Sequence, residues 1–92
     1  MRRLRLDPAA VQWRLLEDEV LAVDFANSRY LGVNPSGALL WPLLAEGTTA
    51  PQLVSALTER WGLEPARASG DVDSFIAWLD AEGLLLAEGS DA

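Results

Sequence analysis

The side chains that most often carry out catalysis are scarce in this sequence. The 92-residue chain contains no histidine and no cysteine. Imidazole bases, thiol nucleophiles, disulfides and structural zinc sites are therefore excluded together. Carboxylates remain, because the chain has 14 Asp and Glu residues. Two carboxylates that face each other could act as a general acid and a general base.

The acidic residues do not form such a pair. Residues 17–19 are consecutive acids in a predicted turn, where their side chains diverge into solvent. Asp80 and Glu82 are two positions apart on a predicted helix and do not face each other. The chain also lacks a glycine-rich phosphate-binding loop and, without histidine, cannot form a Ser-His-Asp catalytic triad. We therefore expect no enzyme activity, no cofactor and no metal site.

Tryptophans are the other candidates for a site. They occur one to each predicted element, as Trp13, Trp41, Trp61 and Trp78. We expect Trp41 and Trp61 in the core. Trp78 lies off the apolar stripe of its helix, on a flank formed by Asp71, Ser74, Phe75 and Trp78. An aromatic residue on the rim of a helix often anchors a partner, so the pattern leaves core and binding roles for Trp78 open.

Hydrophobic alternation in the first third of the chain predicts three β-strands. Val11, Trp13 and Leu15 alternate with polar residues over positions 11–16, and further strands are predicted over 19–25 and 30–33. Short turns between them predict an antiparallel meander. Gly32 in the short third strand favours a position at the sheet edge, where another chain could add a strand.

Three helices follow the strands. The first is predicted to begin at Pro35, capped by Asn34, and to run to about Glu46; Pro42 inside it would either bend the helix or end it early. The second is predicted between residues 49 and 62. The third starts somewhere between 65 and 70, runs to about 82 and carries Asp71 and Asp73 in its first turn.

This order of elements predicts an α+β domain, with helices packed against a small antiparallel sheet. We expect an N-terminal arm over residues 1–10, one domain over 11–86 and a flexible tail over 87–92. Residues 84–86 would form either a short final strand or a strap across the core.

The charge balance limits the partners. The chain has 7 basic and 14 acidic residues, for a net charge of −7. A phosphate backbone requires a positive surface, so nucleic acid is not an expected partner, whereas a basic or amphipathic peptide would be attracted. The sequence contains no signal peptide and no apolar run of ~20 residues, which predicts a cytoplasmic protein without a membrane partner.

Several motifs occur in an order and spacing that cover about residues 11–86. They include Tyr30-Leu31-Gly32-Val33-Asn34-Pro35-Ser36-Gly37, Leu40-Trp41-Pro42-Leu43-Leu44 and Gly83-Leu84-Leu85. Together they resemble the PqqD-like family, whose members are recognition elements for the precursors of ribosomally made and post-translationally modified peptides. This chain departs from the family pattern at Asp18-Glu19, where the family often has Asp-Gly, and at Pro42.

The resemblance implies a winged-helix-like fold and a non-catalytic role. The leader segment of a precursor peptide would add as a strand to the third strand, with its side chains in a groove beside the third helix. The implied strand residues are Arg29, Tyr30, Leu31, Gly32 and Val33. Our choice for the groove wall on the third helix is Asp71, Ser74, Phe75 and Trp78.

The resemblance also implies a processing enzyme as a second partner. Similar free-standing proteins present a leader to the protease and cyclase of lasso-peptide pathways, and this role is the expectation. Others present a precursor to a radical-SAM enzyme in quinone-cofactor synthesis. A winged-helix DNA-binding protein is a further alternative, which the acidic third helix disfavours.

Overall fold

The chain forms a three-stranded antiparallel sheet followed by three helices, which confirms the predicted α+β class. The structure is a computed structural model, and it describes residues 3–17, 19–25, 27–33 and 35–86. The elements are β1 (Val11–Leu16), β2 (Glu19–Asp24), β3 (Arg29–Val33), α1 (Pro35–Glu46), α2 (Ala50–Trp61) and α3 (Pro65–Ala81). The expected cap at Asn34 and the expected tail over 87–92 lie outside the described residues.

The sheet has the order β1-β2-β3, so β3 is an edge strand, as predicted. One face of the sheet contributes to the core, where Val20 and Ala22 of β2 pair with the buried Val33 and Leu31 of β3. β2 ends one residue earlier than predicted, at Asp24, although the N–H of Phe25 still donates to the carbonyl of Ala10, the residue opposite it in the β1–β2 register. β3 begins one residue earlier than predicted.

Helix α1 contributes the largest buried side chains and covers the sheet. Leu40, Trp41 and Leu44 are buried, which confirms the core position predicted for Trp41. The helix continues through Pro42 to Glu46, so Pro42 does not end it early.

Helix α2 has the predicted ends. The N–H of Thr49 donates to Oε1 of Gln52 at 3.2 Å, and Gly62 at the C-terminus adopts a left-handed conformation. The expectation that Trp61 lies in the core is wrong, since 40% of it is exposed. Trp61 continues the spacing of the buried Leu53 and Leu57 but stands on the last turn, where the helix extends past the core.

Helix α3 begins at Pro65, the earliest start that the sequence allowed. Proline suits the first helical position because its φ is already helical and its missing N–H would have no partner there. The expectation that Asp71 and Asp73 lie in the first turn is therefore wrong, because both stand further along the helix. Gly70 is accommodated within it.

The segment before β1 completes the core. Leu4 and Leu6 are both buried. Leu4 and Thr48 exchange backbone hydrogen bonds of 2.7 and 2.8 Å, and Leu6 forms an isolated bridge with Leu85. Of the two predictions for residues 84–86, the strap is correct, because the segment crosses the core with a single bridge and buries Leu84.

Candidate functional site

A groove of about 460 Å³ separates the edge strand β3 from helix α3, with the first turn of α1 at its floor. Such a volume suits a few side chains of an extended peptide. The groove is lined by Gly32, Val33, Ser36, Gly37, Leu40, Leu57, Asp71, Ser74, Phe75 and Trp78.

The helical wall of the groove follows from the sequence spacing of α3. Asp71, Ser74, Phe75 and Trp78 recur at three- and four-residue intervals and so share one face. The neighbouring face is buried in the core by Ala68, Val72, Ile76 and Leu79. Because the face with Val72 and Leu79 is buried, the face with Asp71 and Trp78 is directed into the groove.

Two stacked aromatic rings form the apolar part of this wall. The ring centroids of Phe75 and Trp78 are 5.9 Å apart, with 23° between the ring planes. Phe75 also packs against the buried Trp41, with 6.3 Å between the ring centroids and 58° between the ring planes. The core thus holds Phe75, and Phe75 supports Trp78, of which 37% is exposed.

The floor of the groove depends on Gly37. A Cβ atom at this position would overlap Cγ1 of Val33 and lie 3.1 Å from Cε1 of Phe75. Only glycine lets the first turn of α1 approach the strand and the aromatic wall this closely. Gly37 therefore sets how near β3 stands to α3.

An ionic link joins the start of β3 to the end of α3. The guanidinium of Arg29 pairs with the carboxylate of Glu82 at the end of α3, and its Nη2 lies 3.5 Å from Oδ2 of Asp24. The side chain of Asp24 is buried and accepts a 2.7 Å hydrogen bond from Nδ2 of Asn27. These contacts connect both ends of the β2–β3 turn to α3.

The hydrogen bond from Asn27, together with Arg29, holds the pKa of Asp24 below its ordinary value of 3.8. Because the pKa is lower in the folded protein than in the unfolded chain, the ionised carboxylate stabilises the fold at any pH above the pKa of the unfolded chain. This contribution disappears as the pH falls through the pKa of the folded protein.

We expect the Asp24→Asn variant to unfold at a lower temperature than the unaltered protein at pH 7. The difference should shrink as the pH falls below 3.8, and thermal unfolding followed by circular dichroism measures it. A difference that stays constant down to pH 2 would contradict this role.

The structure brings most of the predicted site residues together at the groove. Gly32, Val33, Asp71, Ser74, Phe75 and Trp78 all line it. The remaining strand residues do not: Leu31 is buried beneath the strand, Tyr30 is 77% exposed on the outer sheet face, and Arg29 is engaged in its ion pairs. Their proposed contact with a peptide would therefore use the backbone.

The sequence interpretation missed the floor of the groove. Ser36, Gly37 and Leu40 from α1 and Leu57 from α2 line it without having been predicted. Gly37 had a signal, because a glycine inside the first turn of a helix costs stability and so calls for a packing reason. No sequence signal distinguishes Leu40 and Leu57 from ordinary core residues.

The outer edge of β3 is available for pairing. β2 is its only neighbour in the sheet formed by the described residues. In an antiparallel ladder, alternate residues of an edge strand direct their N–H and C=O groups away from the sheet. An extended peptide bound there would pair with these groups and face the groove with every second side chain.

Within the described ranges, no three or more acidic side chains approach closely enough to hold a metal ion. The same residues include no helix that is both long and apolar enough to cross a bilayer.

The match to a protein family covers most of the domain. The model of the family described as coenzyme PQQ synthesis protein D (PqqD) matches residues 12–85. The chain belongs to the PqqD family. The matched region runs from β1 to the strap and includes both walls of the groove, which confirms the resemblance drawn from the motifs.

Two solved structures share the fold of this PqqD family member. One, described as TbiB1 in complex with the TbiA(beta) leader peptide, is 25% identical with a TM-score of 0.80, over 88% of this chain and 93% of that chain. The other, a lasso peptide synthetase B1 complexed with the leader peptide, is 21% identical with a TM-score of 0.77, over 91% and 98%. Comparison with curated proteins gives no significant match.

Proposed function

We propose that this protein is a non-catalytic adaptor that binds the leader segment of a ribosomally made precursor peptide and presents it to processing enzymes. The observation that carries the proposal is the open edge of β3 beside a groove whose helical wall presents the stacked rings of Phe75 and Trp78. Membership of the PqqD family and the 25% identity to a protein solved with a leader peptide support it.

The binding mechanism combines two kinds of contact. The backbone of β3 would hold an extended leader by hydrogen bonds that do not depend on its sequence, while the groove beside Phe75 and Trp78 would select its apolar side chains. Each hydrogen bond contributes a net ~0.5–1.5 kcal/mol, and each buried large apolar side chain about 1.5–3 kcal/mol. A few of each, less the cost of ordering the leader, give micromolar to sub-micromolar affinity.

The pathway we favour is lasso-peptide synthesis, in which the partner enzymes would be a leader protease and a cyclase. The shared fold with a lasso peptide synthetase B1 complexed with the leader peptide supports this choice. The description of the matching family favours a second candidate, the delivery of a precursor peptide to a radical-SAM enzyme in quinone-cofactor synthesis. Leaders of the two kinds, tested side by side, separate these candidates.

The adaptor itself would perform no chemistry and would work in the cytoplasm, where ribosomal precursors are made. The absence of histidine and cysteine from the sequence supports a role in binding rather than catalysis. The purified protein should leave a bound precursor unchanged, which mass spectrometry of the incubated complex would verify.

Titration with synthetic leader peptides tests the proposal directly. We expect a leader encoded beside this gene to bind with a dissociation constant near 1 μM or below, measured by calorimetry. Methylation of the leader backbone at two alternate N–H groups should weaken binding about tenfold or more, because these groups pair with β3. Methylation at the intervening N–H groups is the matched control and should have a smaller effect.

Two results would contradict the proposal. The first is that no leader encoded beside the gene binds at concentrations up to about 100 times the expected dissociation constant. The second is that leaders with either methylation pattern bind equally well. That result would show that the protein binds the leader without strand addition to β3.

A further inference from the structure

We propose that the groove selects leaders carrying a Lys or Arg side chain opposite Asp71, placed two or four residues before the apolar side chain that contacts Phe75 and Trp78. This inference rests on the proposed function, since it specifies the class of peptide that the same groove accepts. It adds a charge criterion to apolar recognition.

Asp71 is the one charged residue among the described residues that line the groove. Its side chain is exposed, and it forms no ion pair or hydrogen bond with another described residue. The carboxylate is therefore available to a bound peptide.

Among the described residues, no arginine lines the groove. Arg29, at the start of β3, is paired with Glu82 and Asp24. The whole chain carries a net charge of −7, which gives the protein a negative long-range potential. A cationic side chain of the leader would gain from this potential, and an anionic one would be repelled.

The spacing follows from the geometry of a helix and a strand. Asp71 precedes Phe75 by about 6 Å and Trp78 by about 10 Å along α3, at 1.5 Å per residue. Side chains on one face of an extended peptide recur every ~6.7 Å, or two residues. The basic and apolar side chains of the leader are therefore two or four positions apart.

The order of the two side chains follows from strand direction. Arg29 at the start of β3 pairs with Glu82 near the end of α3, whereas Val33 at the end of β3 lies with Phe75 around Gly37. β3 and α3 therefore run in opposite directions. A leader that continues the antiparallel sheet runs along α3 and meets Asp71 before it meets Trp78.

A charge-exchange experiment tests the inference. A leader that binds would be prepared with Lys, Gln or Glu at the position opposite Asp71, identified by scanning each position of the leader with Lys. Each peptide would be titrated against the unaltered protein, Asp71→Asn, Asp71→Lys and Asp73→Asn. Asp73 is a matched control, because it is exposed on the same helix but does not line the groove.

We expect the unaltered protein to bind the Lys leader about two- to fivefold more tightly than the Gln leader, the range typical of an exposed ion pair. This preference should disappear in Asp71→Asn, persist in Asp73→Asn and change to a preference for Glu in Asp71→Lys. It should also weaken as salt is raised from 50 to 500 mM, because salt screens exposed charges.

The possible failures are distinguishable. If the unaltered protein binds leaders but no position shows a preference between Lys and Glu that Asp71→Asn removes, this inference is wrong and the adaptor role stands. If the unaltered protein binds no leader at all, the proposed function itself is wrong.

Discussion

The Trp78→Ala variant should bind leader peptide about 10- to 30-fold more weakly than the unaltered protein while keeping its fold. Trp78 presents a large, partly exposed ring on the groove wall and is held there by stacking against Phe75. Aromatic anchors of this kind contribute about 2 kcal/mol to binding when a partner covers them, and 1.4 kcal/mol corresponds to a tenfold change in affinity. Calorimetric titration of the leader measures the loss.

Trp61→Ala is the matched control for this experiment. The two tryptophans have nearly equal exposure, 37% for Trp78 and 40% for Trp61, and both stand on helices. Trp61 lies beside Leu15, Pro42 and Arg60, on a surface that the groove does not include. Its loss should leave leader affinity within about twofold. Equal losses from both variants, or none from either, would show that the leader does not use this groove.

The architecture was largely predictable because its signals are local. Alternation of period two marked β1, Pro35 marked the start of α1, and a capping box with a following glycine marked the ends of α2. Each of these signals acts through neighbouring residues, so it appears in the sequence whatever the rest of the chain does. The start of α3 remained open because two residues, Pro65 and Gly70, each allowed a boundary.

The exposure of Trp61 was not predictable from the same kind of signal. Helical spacing shows that Leu53, Leu57 and Trp61 share a face, but it does not show where the covering elements stop. α2 extends past the core by its last turn, and the guanidinium of Arg60 covers the ring from 5.4 Å. Periodicity gives the orientation of a side chain, whereas burial depends on elements that are distant in sequence.

The groove illustrates the same difference between local and tertiary information. Its helical wall could be inferred from spacing on α3, and all four residues chosen there line it. The role of Arg29 could not be inferred from the sequence, because its ion pair with Glu82 joins residues that are far apart in the chain. The link joins the start of β3 to the end of α3, and Gly37 brings Val33 at the end of β3 close to Phe75.

The Gly37→Ala variant should therefore lose stability, although alanine is a better helix former than glycine. The added methyl group would overlap Val33, whose branched side chain is buried and cannot rotate away, and would press on Phe75. Overpacking of this kind costs about 1–3 kcal/mol, so a net loss of up to about 2 kcal/mol remains after the ~1 kcal/mol that alanine gains in a helix. We expect the melting temperature to fall by about 5–10 °C for a domain of this size, measured by circular dichroism.

Gly70→Ala is the matched control, because it makes the same substitution inside a helix where, apart from the adjacent residues and the backbone of the helix itself, no described atom lies within 4 Å of the new Cβ. It should raise the melting temperature by a few degrees, since only the gain of about 0.5–1 kcal/mol in helix propensity remains. Below its melting temperature, Gly37→Ala should also bind leader peptide more weakly than Gly70→Ala, because displacement of Val33 and Phe75 changes both walls of the groove. A rise in melting temperature for both variants would mean that α1 does not approach β3 as closely as Gly37 allows.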